Sequence, residues 1–314
     1  MVALFYSLFM HIQVLGCGSA VPAPGRGPSA QWVSSNERHY LLDCGEGTQM
    51  QIRRYRLPMQ RLSAIFISHM HADHFLGLPG LLGSMDMLDR RKPLVIAAPT
   101  ELFTFLDFYT NSTGHKVRYP IERVVLSNGE GKHCIYTDKS ITVHSIGLRH
   151  TVPCKGFILT EATKNRKFDK EKVQQLNLQP FHWQQLLSGK TIQLENGSII
   201  DPESVLLPAD KSLRYAYFTD TRPRPDLAPE IMGVNLLYHE ATFMEEHASR
   251  ARKTRHSTAK EAAEMAQACA ANSLLIGHYS NRYTDLTGLL NEAAAIFPRV
   301  FLAEEGGVWD LANL

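Results

Sequence analysis

Residues 64–74 read Ala64-Ile65-Phe66-Ile67-Ser68-His69-Met70-His71-Ala72-Asp73-His74, and this stretch decides the fold. Ala64 to Ser68 is apolar and rich in bulky residues, which predicts a buried strand. The six residues after it hold three imidazoles and a carboxylate, too many polar groups to leave unpaired beside a core strand. Imidazole nitrogen with carboxylate oxygen is the donor set that zinc prefers, so a metal-binding loop at a strand end is expected. A solvated His-rich turn is the plain alternative, and the strand context speaks against it.

Two catalytic metal ions about 3.5–4 Å apart need roughly seven side-chain ligands, one of them a bridging carboxylate. The loop alone is insufficient. Three further candidates each follow a predicted strand: His150 after Ile141 to Leu148, Asp220 after Tyr215 to Thr219, and His278 after Leu274 to Gly277. Singly, a His after a strand is more often a capping or hydrogen-bonding residue. Jointly with the loop they make five His and two Asp, the number a dinuclear site with one bridge requires.

Outward from these positions the chain alternates α and β signals. Strands are expected at Ile12 to Leu15, Ala30 to Ser34, Tyr40 to Asp43, Leu94 to Ala97 and Leu236 to Tyr238. Helices are expected at 47–55, 76–88, 101–109, with Phe103, Leu106 and Phe108 as core candidates, and 258–271. With 314 residues and 44% hydrophobic content the chain can bury a sizeable core, and one domain over 10–314 is expected. The segment 161–190 breaks the pattern: six Lys or Arg stand against three Asp or Glu, with few aliphatic anchors. It reads as a projecting arm or as a solvated helical hairpin. The formal net charge is only +2, so nucleic acid would have to be held by local basic patches. Arg53, Arg54, Arg56 and Arg61 form one such patch, the arm another, and Arg250, Arg252, Lys253 and Arg255 a third. Five scattered cysteines without a Cys-x-x-Cys pair suggest neither a disulfide framework nor a zinc finger, and suit a reducing cytoplasm. Met1 to Met10 reads as an upstream extension, with Met10 an alternative start, and no stretch is long enough to span a bilayer.

His69-x-His71-x-Asp73-His74 with distant His150, Asp220 and His278 resembles the metallo-β-lactamase superfamily. Further words narrow the resemblance: Gly16-Cys17-Gly18-Ser19-Ala20-Val21-Pro22, Leu42-Asp43-Cys44-Gly45-Glu46-Gly47-Thr48-Gln49, Asp220-Thr221-Arg222-Pro223, His239-Glu240-Ala241-Thr242-Phe243 and His256-Ser257-Thr258. Together they resemble the ribonuclease Z family of tRNA 3′-processing endonucleases in its short bacterial form, over about Met10 to Gly307. The resemblance implies an α/β fold, a four-layer αβ/βα sandwich with an inserted substrate-binding arm. It implies two zinc ions per chain, one on His69, His71 and His150, the other on Asp73, His74 and His278, with Asp220 bridging; the same donors accept manganese. Asp43 would accept an imidazole N–H or cap a helix, both readings remaining open.

The implied function is removal of 3′ trailers from precursor tRNA, leaving a tRNA 3′-hydroxyl. A hydroxide made available near pH 7 by the metals would attack the phosphodiester, with Asp73 orienting it. His256 would protonate the departing oxygen, oriented by Glu240, beside a helix start whose free N–H groups would welcome phosphate. The family typically forms homodimers. Two features depart from it: the arm tip reads Gln179-Pro180-Phe181-His182-Trp183 where the family has a Gly-Pro-rich tip, and Gly27 stands after Arg26 where the family often has Asn. The rival readings are a broad-specificity phosphodiesterase of the same fold, and an RNA-binding protein with a vestigial site.

Overall fold

A computed structural model describes residues 9–162, 166–176, 178–194, 196–208 and 212–314. Most of the N-terminal extension and Lys164 of the basic arm lie outside the described residues. Strands β1 (His11–Gly16), β2 (Ala30–Ser35) and β3 (Arg38–Leu42) form an antiparallel meander. After α1 (Thr48–Arg54), the apolar run appears as β4 (Leu62–Phe66), parallel to β3. The His loop carries α2 (Ala72–Phe75) and leads into α3 (Leu78–Met87), then β5 (Leu94–Ala98), α4 (Thr100–Thr113) and β6 (Ile121–Val125), the last two strands again parallel. Parallel strands need crossovers, and the helices supply them; β4 is covered on both faces, which is why its sequence does not alternate.

Strands β7 (His133–Thr137), β8 (Ile141–Leu148) and β9 (Cys154–Glu161) open a second sheet as antiparallel hairpins. The chain then enters a separate compact unit, Ala162–Ser212. It contains α5 (Lys170–Gln175), α6 (Pro180–Leu187), β10 (Ile192–Gln193), β11 (Ile199–Ile200) and α7 (Pro202–Val205). Leu178, Leu186, Ile192, Ile200 and Val205 form its own small core, with Phe168 against Trp183 at 5.7 Å between ring centroids. The residues of the atypical tip start α6. The segment looked poor in aliphatic anchors because three of those five core residues lie beyond position 190.

The main unit resumes with β12 (Arg214–Phe218), whose Arg214 pairs with Thr160 of β9. It continues through β13 (Leu236–Glu240), α8 (Ala248–Thr254), α9 (Ala259–Ala268), β14 (Ser273–Gly277), α10 (Thr287–Ala294), β15 (Val300–Leu302) and β16 (Val308–Asp310). One seven-stranded sheet has the order β16-β1-β2-β3-β4-β5-β6, the other β15-β14-β13-β12-β9-β8-β7. Alternation along each strand sorts residues between faces. Ala64 and Phe66 join a core shared with Phe157, Tyr215 and Tyr217 of the other sheet, whereas Ile65 joins Leu78, Leu81 and Leu102 of α3 and α4. Ala259, Ala262 and Ala266 of α9 belong to the shared cluster too. The layers are helix, sheet, sheet and helix, as expected. Phe108 is a correction: it faces outward from α4, 70% exposed, while Phe103 and Leu106 are buried.

The direction of the strands places the chemistry. Strands β3 and β4 run together, as do β12, β13 and β14, and β8 has the direction of β12 because β9 is antiparallel to both. Their C-terminal ends therefore collect at one edge, where α/β folds bind ligands. Close approach of backbone there requires glycine. A Cβ on Gly45 would meet the Asp73 carbonyl oxygen at 2.3 Å, and one on Gly77 the Gly45 carbonyl oxygen at 2.1 Å.

Candidate metal centre

All seven expected ligands come together at that edge. His69, His71, His150 and Asp220 place one ligand atom each within 4.8 Å of one another, as do Asp73, His74 and His278. The Asp220 carboxylate lies between the groups. Its Oδ2 is 3.6 Å from His69 Nε2 and 3.4 Å from His150 Nε2, and its Oδ1 is 3.3 Å from His74 Nε2 and 3.0 Å from His278 Nε2. Asp73 Oδ2 closes the second group at 3.4 Å from His74 Nε2 and 3.5 Å from His278 Nε2. Ligand bonds of about 2.0–2.1 Å in a tetrahedral shell put donor atoms roughly 3.3–3.4 Å apart, which these spacings bracket.

The other nitrogen of each ring explains the orientation. Asp43 can only accept, so the His74 Nδ1 at 2.7 Å from its Oδ2 carries the proton. The same carboxylate accepts from the Ser68 N–H at 2.7 Å, the Ser68 hydroxyl at 2.9 Å and the Tyr217 hydroxyl at 2.8 Å. Having given its proton to Asp43, Ser68 Oγ accepts from His69 Nδ1 at 3.0 Å. His150 Nδ1 donates to the Arg255 carbonyl at 3.2 Å. Thr242 Oγ1 donates to Glu240 Oε2 at 2.6 Å and so accepts from His278 Nδ1 at 3.0 Å. Four rings are thereby held with Nε2 turned inward, and among the described residues Nε2 of His69, His74 and His278 is buried with no hydrogen-bond partner. His71 offers Nδ1 instead, 3.1 Å from His150 Nε2. Converging imidazole nitrogens beside buried carboxylates are what a divalent cation satisfies, so the residues fit the expected metals. Of the two readings of Asp43, the structure selects the first: it accepts an imidazole N–H, and Gly47, not Asp43, caps α1.

Electrostatics agree for three of the rings and oppose the fourth, His74, from which a cation would have to displace a proton. Burial pushes His69 well below its ordinary value, with His74 adding to the effect, and burial lowers His71 and His150 against the pull of Asp220. These three are neutral, as ligands must be. Burial would raise Asp220, but His278 and His74 hold it well below the usual carboxylate range. His74 is raised despite its burial because Asp220, Asp43 and Asp73 surround it.

His256 lies beside the cluster, 5.0 Å from the His150 ring and 5.4 Å from the His278 ring by centroids. Its Nδ1 is 2.9 Å from Glu240 Oε1, and Glu240 is anchored by the Thr221 and Thr242 N–H groups at 2.9 and 3.1 Å. Burial opposes the charged imidazole, yet the adjacent Glu240 carboxylate overrides it and pushes His256 up to about 9. The pairing with Glu240 favours the protonated imidazole at neutral pH. The helix start beside it departs from expectation, because the N–H groups of α9 are taken. Ala259 N donates to the Phe243 carbonyl, Lys260 N to Glu292, and Glu261 N to Thr258 Oγ1 in a capping box. Any affinity for phosphate there comes from side chains.

A cavity of about 320 Å³ opens over the cluster, lined by His71, Asp73, Asp220, His256 and His278, with Arg250 and Arg282 at its wall. Ser19 to Val21 line it also, and the Ala20 N–H, on a backbone turned to φ 43°, donates to Asp73 Oδ2 at 2.8 Å. Ser68, Tyr217, Thr242 and Ala20 were missing from the expected site. Their sequence signal is faint, since each acts only through a hydroxyl, a backbone N–H or both.

Comparison with known proteins adds lineage to geometry. The ribonuclease Z of Porphyromonas gingivalis (strain ATCC BAA-308 / W83) is 40% identical over 295 residues, covering 94% of this chain and 96% of its own length. That of Parabacteroides distasonis is 40% identical over 299 residues, covering 94% and 97%. Among solved structures, the short form of human tRNase Z superposes with a TM-score of 0.68 at 24% identity, over 96% of this chain and 99% of that one. A family model described as anti-Pycsar protein Apyc1 matches residues 10–107. That span includes the His loop but none of His150, Asp220, Glu240, His256 or His278.

Proposed function

The chain belongs to the ribonuclease Z family, and from that premise we propose how its residues perform the reaction. It is a metal-dependent hydrolytic nuclease, an endoribonuclease acting on the 3′ ends of tRNA. We assign one zinc ion to His69, His71 and His150, a second to Asp73, His74 and His278, and the bridge to Asp220. The observation that carries this assignment is the carboxylate of Asp220, whose two oxygens face two separate sets of inward-turned imidazoles. Bound there, the ions would supply a water ionised near pH 7 and positive charge for the phosphoryl oxygens.

The protein's own groups do the rest. Asp73, fixed by the Ala20 N–H, holds the attacking water in line and can take its proton. His256, charged and steadied by Glu240, gives a proton to the departing ribose oxygen, leaving a 3′-hydroxyl on the tRNA. Arg250 and Arg282 at the cavity wall attract the phosphodiester. Two further readings rest on the resemblance and the thiols: a homodimer, and a cytoplasmic location, which five free cysteines suit. Among the described residues no helix is long and apolar enough to cross a membrane.

The test is incubation of the zinc-loaded protein with a 3′-extended precursor tRNA followed by end mapping; hydrolysis of a chromogenic diester without tRNA cleavage would favour the broad phosphodiesterase instead. The same assay examines the insertion. Glu161 N donates to the Leu213 carbonyl at 2.8 Å, so the chain leaves and rejoins the main sheet at paired residues. Replacing Ala162–Ser212 by a short turn should therefore preserve the metal centre and small-diester hydrolysis, while raising KM for precursor tRNA and reducing its salt dependence. Unchanged KM and salt slope would make the insertion a structural module with no hold on substrate.

A further inference from the structure

Beside the metal centre lies a second basin of about 740 Å³, and His150 and Thr151 line both. Five cations surround it, Arg149, Lys155, Arg222, Arg252 and Arg255, against the single carboxylate of Glu130. Three are committed to the fold. Arg222 pairs with Glu261, Arg255 donates to the His150 carbonyl at 2.6 Å, and Lys155 donates to the Gly129 carbonyl. Arg149 and Arg252 are different: both are exposed, and among the described residues neither side chain enters an ion pair. Glu130, the carboxylate that lines the basin, is already engaged by Arg224 at 3.2 Å, and Asp226, which feels the charge of Arg149, is paired with the same Arg224 at 2.7 Å. Unpaired guanidiniums set beside a hydrolytic centre mark a site for phosphate.

We propose that this basin holds the single-stranded 3′ trailer of the substrate, with Arg149 and Arg252 each contacting a backbone phosphate next to the scissile one. The inference rests on the ribonuclease reading above. Its volume is in the range of ~300–1,000 Å³ that encloses small ligands, so it takes a nucleotide or two of one strand. A base-paired acceptor stem presents two strands and cannot enter, whereas a trailer can thread past His150 as it leaves the centre. No base-recognising group is required, and trailers of different sequence should be accepted alike.

The experiment uses the Arg149→Ala/Arg252→Ala double variant of the full chain, with precursor tRNAs carrying trailers of one to about ten nucleotides and a nitrophenyl diester as control. The diester rate should be unchanged, which also reports an intact fold. On long trailers kcat/KM should fall. Because each lost single-strand phosphate contact removes about 0.7 from the salt slope, the wild-type to variant ratio should shrink about sevenfold between 50 and 200 mM salt. On a one-nucleotide trailer the variant should match wild type. Equal kcat/KM and equal slope on every trailer would overturn the proposal, and so would a penalty that persists at one nucleotide, since the two arginines would then be touching the tRNA body. A wild-type protein inactive on all precursors is a separate failure, that of the ribonuclease assignment, and the basin proposal falls with it.

Discussion

Asp220→Ala is expected to abolish hydrolysis of every phosphodiester, tRNA or chromogenic, and to lower bound metal at the same time. Among the described residues Asp220 is the one whose two oxygens reach both halves of the cluster, 3.0 Å from His278 and 3.4 Å from His150. Removing it separates the halves and strands the imidazoles. Loss of a mere hydrogen-bond partner of a ligand costs about 10–100-fold in metal affinity or activity, so loss of the bridge itself should exceed that. His71→Ala should silence hydrolysis too, but it should strip chiefly the group it shares with His69 and His150, since its Nδ1 faces His150 and not His74. The fold should survive both changes, because the core shared by the sheets does not include these residues. Elemental analysis of the purified variants beside a diester assay decides the matter. Full metal occupancy with normal turnover in either variant would remove Asp220 and His71 from the site.

The loop's share of the cluster could be read from the sequence because a strand, a tight His/Asp spacing and a metal's donor preference coincide within eleven residues. His150, Asp220 and His278 could be read only jointly, each as a polar residue just past an apolar run, and the structure explains why that rule works: all three follow strands sharing one direction. Other features were beyond reach. Asp43 was ambiguous because a carboxylate before a glycine turn serves equally as helix cap or imidazole acceptor; only the folded position of His74, thirty-one residues away, chooses. The free start expected of α9 is absent because Thr258 and Glu261 form a capping box while the Phe243 carbonyl and Glu292, distant in sequence, take the N–H groups of Ala259 and Lys260. The span 161–190 reads as polar because the core of the insertion is completed beyond it, by Ile192, Ile200 and Val205. A short apolar residue in an otherwise polar stretch shows no periodicity until its partners are known.

His256→Ala, in contrast to the ligand variants, is expected to retain metal and lose about 10²–10⁴ in turnover on precursor tRNA, the usual contribution of a positioned acid. His256 can reach Asp220 and His278. What separates it from the ligands is its Nδ1, tied at 2.9 Å to Glu240, a carboxylate without exposure and held by two backbone N–H groups. That pairing raises the imidazole to about 9. The sign of the pH effect follows. The proton is present below that value and lost above it, and cations held by the cluster would push it downward, so wild-type turnover on tRNA should decline on an alkaline limb at or below about 9. In the alanine variant the limb should vanish along with most of the rate. A nitrophenolate leaves without a proton, so a nitrophenyl diester should be cleaved at nearly the wild-type rate by the variant. Glu240→Gln should reproduce the loss in part, since an amide orients the ring yet supplies no charge to keep it protonated. Equal losses on tRNA and on the nitrophenyl diester, or an alkaline limb unchanged in His256→Ala, would show that the proton comes from elsewhere and that His256 serves to position the phosphodiester.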